Sequence, residues 1–399
     1  MLARTLLVCL LAALAAAALD HAVYVTSFDQ MWSRIRETHW DPAMNGVDWD
    51  AARAELRPRL LSAKTRKEAL ALFADLLARL RQSHFELIPA EAYAALQQDA
   101  PDEGSPGLDF RLLDGQPVIT RGPRQGWTIR RIGPDPSSEI AAKTGKYAWH
   151  ALHRRLRGKP GDTLTLELAN GRQTALQTLA LQPAPRTARF GHLPPIPVEI
   201  ERRPLPGPAV YLRLSAFFEP AYLQEEMRAA VRDARSAAGF VLDLRGNPGG
   251  LAILAPAVAA WFLDKPASLG AYRMKNVTLQ LAVNPRLEPF LGKLAILIDR
   301  YSMSTSEFLA AGLKDLGRAR LFGETTAGAA LPSAIEKLPT GDAFQFATAH
   351  YTSASGAVLE GAGVTPHVAV AHTRTALLQG RDLALEAALN WIQEKENKP

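Results

Sequence analysis

Cysteine is almost missing from this chain of 399 residues: Cys9 is the only one. It lies in an N-terminal stretch with the form of a secretory signal, spanning residues 1–18. Arg4 supplies the positive start, Thr5 to about Leu14 the apolar centre, and Ala15 to Ala18 a small-residue cleavage site. After cleavage the mature chain would hold no thiol, which excludes disulfides, a cysteine nucleophile and cysteine-based metal sites. Export without disulfides suits a bacterial periplasm or secretion. Val8 before Cys9 is not the small residue a lipoprotein signal wants, so lipidation is not expected. Long apolar runs are lacking too, and the N-terminal one is too short for a comfortable membrane span; an uncleaved anchor is the weaker alternative. Charge of one sign is not concentrated: 46 Lys and Arg against 40 Asp and Glu give +6, with the arginines scattered apart from pairs such as Arg130-Arg131 and Arg154-Arg155. No basic run is interleaved with aromatics, so nucleic acid is not an expected partner.

What is present is an ordinary globular composition, 47% hydrophobic and 22% charged, long enough for two or three domains. Residues 19–103 read as helical. Phe28, Trp32 and Ile35 recur at helical spacing, and Thr65 to Glu68 forms a capping box ahead of Leu70, Phe73, Leu76, Leu77 and Leu80. Residues 104–182 read as β-rich, with Leu164, Leu166 and Leu168 alternating before an Asn170-Gly171 hairpin turn. A Pro-rich stretch at 183–208 reads as a linker. From 209 to 399 strands and helices alternate: strands at 210–214, 240–244 and 294–298, helices at 222–237, 258–263 and 308–317. That order predicts an α/β domain with parallel crossovers.

Two stretches of this last segment carry chemistry. Ser302, Ser304 and Ser306 stand where the strand at 294–298 breaks into a helix, a place where backbone N–H groups and the helix dipole can support an anion beside a hydroxyl nucleophile. The competing reading is plain N-capping. Phe240 to Gly250 is a strand running into the turn Arg245-Gly246-Asn247-Pro248-Gly249-Gly250, whose glycines let N–H groups face a ligand oxygen. An ordinary turn is the alternative; a phosphate loop is weaker, because the Lys-Ser/Thr ending is missing.

The residues Leu242 to Gly250, Asp299 to Glu307, Gly317 to Gly328 and Leu359 to Pro366, in this order, resemble the motifs of the carboxyl-terminal processing (tail-specific) serine proteases and their tricorn-like relatives. With the helical and PDZ-like regions the resemblance covers nearly the whole mature chain. It implies a crotonase/ClpP-like α/β core with an N-terminal helical region and a trimmed PDZ-like β insert. By the family pattern Ser-x-Ser-x-Ser-Glu, the resemblance makes Ser304 the nucleophile. The family's Ser–Lys members carry a lysine where this chain has Ala329, and neither Lys314 nor Lys337 replaces it by motif. The tricorn-type branch uses histidine as base, and Ser83-His84 matches it. His84 would accept the serine proton, with Ser83 and an acid orienting the ring. Glu360 matches that acid, with Glu324 as competitor. The backbone N–H groups of Gly249 or Gly250 and of Thr305 are the expected oxyanion donors.

Gly107, Leu108, Asp109 and Phe110 stand where a PDZ domain binds a peptide carboxylate, but residues 120–126 are shorter than the usual helix there, so peptide binding by the insert competes with a spacer or lid role. His367, where the family has Asp, reads as surface variation. Neither it nor His350 has a second ligand spaced for metal, so no metal site and no cofactor is expected. The chain is expected to be a secreted serine peptidase whose partner is a peptide or protein substrate, the substrate C-terminus being one place of attack. The rival is a non-catalytic protein on the same fold that binds apolar ligands or peptides. Acyl-CoA chemistry is set aside, because export removes the chain from CoA.

Overall fold

The computed structural model describes residues 19–90, 104–145, 148–183, 186–188, 196–205 and 209–394. The expected signal at 1–18 and residues 91–103 lie outside them. Three helices open the described chain, α1 (His21–Thr38), α2 (Trp49–Leu61) and α3 (Arg66–Ala78). Each begins on an oxygen that accepts orphan N–H groups: Asp20 from Ala22 and Val23, Asp48 from Ala51, Thr65 from Glu68. The expected capping box is offset by one, since Glu68 Oε2 accepts from Lys64 N–H. Helical periodicity gathers Phe28, Met31, Ile35, Leu56, Phe73 and Leu76 into one core, which also takes Phe344 and Phe346 from the last segment. The helical region therefore shares its core with the α/β domain. β1 (Glu86–Ile88) follows α3.

The insert comprises β2 (Asp109–Leu113), β3 (Gln116–Arg121), β4 (Thr128–Ile132), β5 (Asp135–Pro136), α4 (Ser137–Thr144), α5 (Ala148–Arg155), β6 (Thr163–Ala169) and β7 (Thr174–Ala180). Its antiparallel sheet runs β2-β3-β4-β6-β7, with β5 beside β4, over its own core of Phe110, Ile119, Ile129, Leu152 and Leu166. The β6–β7 turn spans residues 170–173, two more than the expected Asn-Gly pair, because Asn170 Oδ1 accepts from both Arg172 and Gln173 N–H.

Within the stretch expected to be a linker, the described residues form strands. These are β8 (Arg186–Ala188) and β9 (Ile196–Val198), which pair with each other, and β10 (Ile200–Leu205), which pairs antiparallel with β11 (Ala209–Leu214). Prolines that suggest a linker are tolerated here because β10 is an edge strand, where a missing N–H breaks no inner ladder.

The core continues with α6 (Pro220–Asp233), β12 (Gly239–Asp243), α7 (Leu254–Ala259), β13 (Ala267–Arg273), β14 (Thr278–Val283), β15 (Lys293–Ile298), α8 (Thr305–Asp315), β16 (Ala319–Gly323), β17 (Ser333–Lys337), β18 (Ala343–Ala347), β19 (His350–Ser353), β20 (Val368–Ala369), α9 (Arg374–Leu378) and α10 (Leu383–Gln393). The main sheet runs β10-β11-β12-β15-β16-β20 and is parallel from β11 onwards, as the crossover pattern predicts. The expected helix at 258–263 instead begins at Leu254, with Pro256 in its first turn where no N–H is needed. Strand period places Val210, Leu212, Phe240, Leu242, Leu294 and Ile296 against α6, α7 and α8. The alternate residues Tyr211, Val241, Ala295 and Leu297 pack against Ala388 and Ile392 of α10. Both faces being covered, the strands are mostly apolar, with the buried charges Arg213 and Asp243 at the ends of β11 and β12. A small sheet, β1-β18-β17, ties the end of the helical region to this core.

Candidate functional site

β15 ends at Ile298, and α8 begins seven residues later with Ser304 as its N-cap. An N-cap residue normally has extended backbone; Ser304 has φ 53° and ψ −116°. Such a conformation costs a non-glycine residue about 1–3 kcal/mol and persists only where neighbours enforce it. The neighbours are identifiable. Ser304 N–H donates to Ala329 O (3.0 Å) and to Glu307 Oε2 (2.9 Å), and Met303 N–H donates to Asn247 O (3.0 Å). The flanking serines are structural: buried Ser302 Oγ donates to Leu244 O (2.8 Å) and buried Ser306 Oγ to Asn247 O (3.0 Å). Ser304 is the half-exposed one of the three. Ser304 does form a capping box with Glu307, but that role calls for extended backbone and does not account for its left-handed φ.

Glu307 beneath it is fully buried and takes four donors, Thr326 Oγ1, Gly328 N, Ala329 N and Ser304 N. Burial pushes its carboxyl up to about 7 against the pull of those hydrogen bonds. The sequence reading used Glu307 only as part of a motif; its role as the buried clamp of this turn is visible only in three dimensions.

His84 lies on the short connection between α3 and β1, a loop with two positive-φ residues, Arg81 at 52° and His84 at 61°. Asn45 Nδ2 holds Leu80 O (2.7 Å), and His39 holds Gln82, Nε2 to Oε1 at 3.1 Å. Glu360 clamps the centre of the loop. Its Oε1 accepts from Ser83 N–H (2.6 Å) and its Oε2 from Ser83 Oγ (2.9 Å) and Ala330 N–H (3.0 Å). Ser83 Oγ also lies 2.7 Å from His84 Nδ1. A hydroxyl has one proton, and the carboxylate can only accept, so that proton goes to Glu360. Ser83 Oγ then accepts from His84 Nδ1–H. This assigns the tautomer and leaves Nε2 with its lone pair available. Burial lowers the His84 pKa, while the charges of Glu360 and Glu86 oppose the shift. The ring is therefore neutral at neutral pH, the form a base requires.

One backbone strip links the two halves. Ala329, where the family's lysine would stand, accepts from Ser304 N–H, and the next N–H, Ala330, donates to Glu360. The competing acid, Glu324, instead pairs with Arg300 at 2.6 Å. Lys314 Nζ donates to Thr365 O (2.7 Å).

The expected oxyanion donors are partly re-sorted. A Cβ on Gly249 (φ 96°) would stand 2.9 Å from Ser304 Cβ and 3.0 Å from Thr305 N, so the glycine turn abuts the serine turn. Gly249 N–H, however, donates to Asn247 Oδ1 (2.8 Å) and is taken. Gly250 is left from that pair, fixed by Thr305 Oγ1 on its carbonyl (2.9 Å), and Thr305 N–H is one of the orphan donors of α8. Asn247 is fully buried and organises both turns, its Nδ2 donating to Leu214 O (2.8 Å). The sequence reading did not single it out, although it stands inside the Gly-rich motif.

The residues Gly107, Leu108, Asp109 and Phe110 lie at the junction of insert and core. Gly107 N–H donates to Ser105 Oγ (3.3 Å), and Leu108 and Phe110 are buried in the insert core. Burial would raise the Asp109 carboxyl, but Arg213, Arg121 and Arg111 overcome this and hold it well below the usual carboxylate range. Beside them Arg111 Nε donates to Asp299 Oδ2 (2.5 Å), both side chains buried, while Asp299 Oδ1 accepts from Gly246 and Tyr301 N–H. His367 is exposed and its Nδ1 accepts from Leu321 N–H (3.0 Å); half-buried His350 faces the Trp40 ring at 6.0 Å. No helix of the described residues is long and apolar enough to cross a membrane.

Residues 209–370 match the profile of Peptidase family S41, and residues 20–78 that of the Tricorn protease C1 domain. The chain is 26% identical to a carboxyl-terminal-processing protease of Synechocystis sp. over 345 residues, covering 84% of this chain and 78% of the relative. Among solved structures it resembles the photosystem II D1 C-terminal processing protease, with a TM-score of 0.59 at 21% identity, over 93% of this chain and 98% of that one. It also resembles the tricorn protease, with a TM-score of 0.55 at 15% identity, over 93% of this chain and 36% of that one.

Proposed function

Starting from a chain that is a serine-type peptidase and carries a Peptidase family S41 domain and a tricorn protease C1 domain, we propose that it cleaves peptide bonds with a Ser304 nucleophile and a His84 base in place of the family's lysine. The observation that carries this is the relay from Glu360 through Ser83 Oγ to His84 Nδ1, which presents Nε2 as the acceptor.

Ser304 Oγ attacks the scissile carbonyl carbon as its proton passes to His84 Nε2. The oxygen that gains charge is held by the N–H groups of Gly250 and Thr305. As the C–N bond breaks, His84 returns the proton to the leaving amine, and an acyl ester on Ser304 remains. Water then gives a proton to His84 and attacks the ester, releasing the carboxylic acid and restoring Ser304. Glu360 takes no part in these proton transfers and holds the imidazole through Ser83. The substrates proposed are polypeptides cut near their C-termini, a reading supported by relatives named for carboxyl-terminal processing. The place of action proposed is outside the cytoplasm, supported by the signal-like residues 1–18.

The test is mass-spectrometric mapping of a fluorophosphonate adduct. Wild type should label at Ser304. Labelling should fall by about two to four orders of magnitude in His84→Ala and persist in Lys337→Ala. Labelling elsewhere, or none on a folded wild type, would overturn the assignment of Ser304.

A further inference from the structure

Far along the chain from the relay, arginines that the sequence scatters come together. Arg228 and Arg232 of α6, Arg235 in the turn after it, and Arg286 in the loop before β15 line a groove of about 530 Å³, together with Val231, Trp261, Leu287 and Glu288. Four guanidinium groups thus face one carboxylate. Glu288 pairs with Arg235, and Arg232 lies 3.9 Å from Asp233, which also pairs with Arg202. Arg228 and Arg286 have no carboxylate partner among the described residues.

Stability does not account for the arrangement. Arg232 and Arg235 suit a helix C-terminus, where cations meet the dipole. Arg228 does not belong to that last turn, and its i,i+4 spacing to Arg232 is repulsive. Arg286 is pre-set rather than free: Nη2 donates to Gln224 Oε1 (2.7 Å), its guanidinium stacks 5.3 Å over the Trp261 ring, and Trp261 Nε1 donates to the same Gln224 oxygen (3.0 Å). Leu287 beside it is entirely exposed, at 103%. A rigid apolar floor, a fully exposed leucine at the rim and uncompensated guanidiniums together form a surface complementary to carboxylates that carry an apolar side chain between them.

We propose that this groove docks an acidic polypeptide segment, with carboxylates on Arg228, Arg232 and Arg286 and an apolar side chain against Trp261 and Leu287. A peptide is favoured over an anionic bilayer because the surface is concave, whereas membrane docking wants an apolar face laid into the interface. The proposal does not rest on the catalytic reading, and binding is measured in Ser304→Ala so that cleavage plays no part.

The probe is a fluorescein-labelled dodecapeptide of repeated Glu-Glu-Leu, titrated by anisotropy at low and high salt, with Lys-Lys-Leu repeats as control. Saturable binding is expected, weakened by salt and by about tenfold or more in Arg228→Glu/Arg232→Glu, and severalfold in Leu287→Ser. The same substitutions in the wild-type background should leave the melting temperature and fluorophosphonate labelling unchanged. Binding no better than the Lys control, or undiminished in the double variant, would overturn the proposal. So would groove-dependent binding only to phosphatidylglycerol vesicles, or groove-dependent self-association in sedimentation.

Discussion

At the scale of single residues, the site depends on which oxygen owns which proton. Glu360 accepts from two N–H groups and one hydroxyl, so it stays an acceptor and directs Ser83 and His84 in turn. Its charge also raises the His84 pKa against the larger effect of burial, which lowers it. The acid limb of kcat/KM, where His84 loses its proton as pH rises, should therefore lie below the ordinary imidazole value near 6.5. In Glu360→Gln the opposing charge is gone, so the limb should move to still lower pH. The plateau should drop by about tenfold to a thousandfold, since the amide no longer holds Ser83 as a carboxylate does. A limb that rises, or a plateau that is unchanged, would remove Glu360 from the relay. The three serines of the motif make the companion point: identical side chains two residues apart divide into two buried donors and one strained, half-exposed hydroxyl.

At the scale of elements, the proposed base is carried by a loop and not by a helix or strand, so its precision has to be supplied from outside. Residues 80–84 contain two positive-φ residues and are pinned by Asn45 at Leu80, His39 at Gln82 and Glu360 at Ser83 before β1 joins β18. His39 is buried at the end of α1 and stacks on Trp40, with ring centroids 4.1 Å apart. Gln82 Oε1 can only accept, so His39 Nε2–H donates to it (3.1 Å), while Nδ1 lies against both Asp41 N (3.1 Å) and Asp41 O (3.0 Å). Gln82→Leu should free the loop without touching Ser83, His84 or Glu360. The expected result is a loss of about tenfold in kcat with KM little changed, and an acid limb moved up towards 6.5 as water reaches the imidazole. A merely structural role would lower the melting temperature and leave the pH profile in place.

At the scale of the whole molecule, the insert is bolted to the core beneath the serine turn. Arg111 and Asp299 form a buried pair, Trp149 of α5 stacks on Tyr301 at 4.6 Å, and a Cβ on Gly246 would meet Arg111 Nη2 at 2.4 Å. Asp299 is also the residue that orders Gly246 and Tyr301, at the start of the glycine turn and just before the serine turn. Arg111→Ala leaves Asp299 charged and unpaired in the interior, which should cost about 3–5 kcal/mol in denaturant unfolding and slow the labelling of Ser304. Arg111→Met with Asp299→Asn should restore much of the stability, because the pair is then removed as a whole. If the single variant unfolds like wild type, the insert is a passenger and not a support.

Much of this was legible in the chain. The alternation of strands and helices from 209 onwards, the apolar stripe of α1, and the Ser83-His84 and Ser304 motifs are local patterns, set by the 2.0 and 3.6 residue periods and by side-chain chemistry. Period alone could not show that 200–205 is an edge strand, because prolines obscure it and only pairing with β11 reveals it. Nor could it show that Gly249 N–H is consumed by Asn247, that Glu360 and not Glu324 reaches Ser83, or that residues 107–110 sit against the core. Except for the Asn247–Gly249 bond, which joins residues two apart within a buried turn, those outcomes depend on contacts between residues tens to hundreds of positions apart. The four arginines of the α6 groove follow the same rule: their charges are in the sequence, but their convergence exists only where α6 and the loop before β15 meet. The sequence by itself determined the element types and the chemistry on offer, because both are local. The tertiary structure alone decided which donor meets which acceptor, because a hydrogen bond requires a distance that no spacing along the chain can supply.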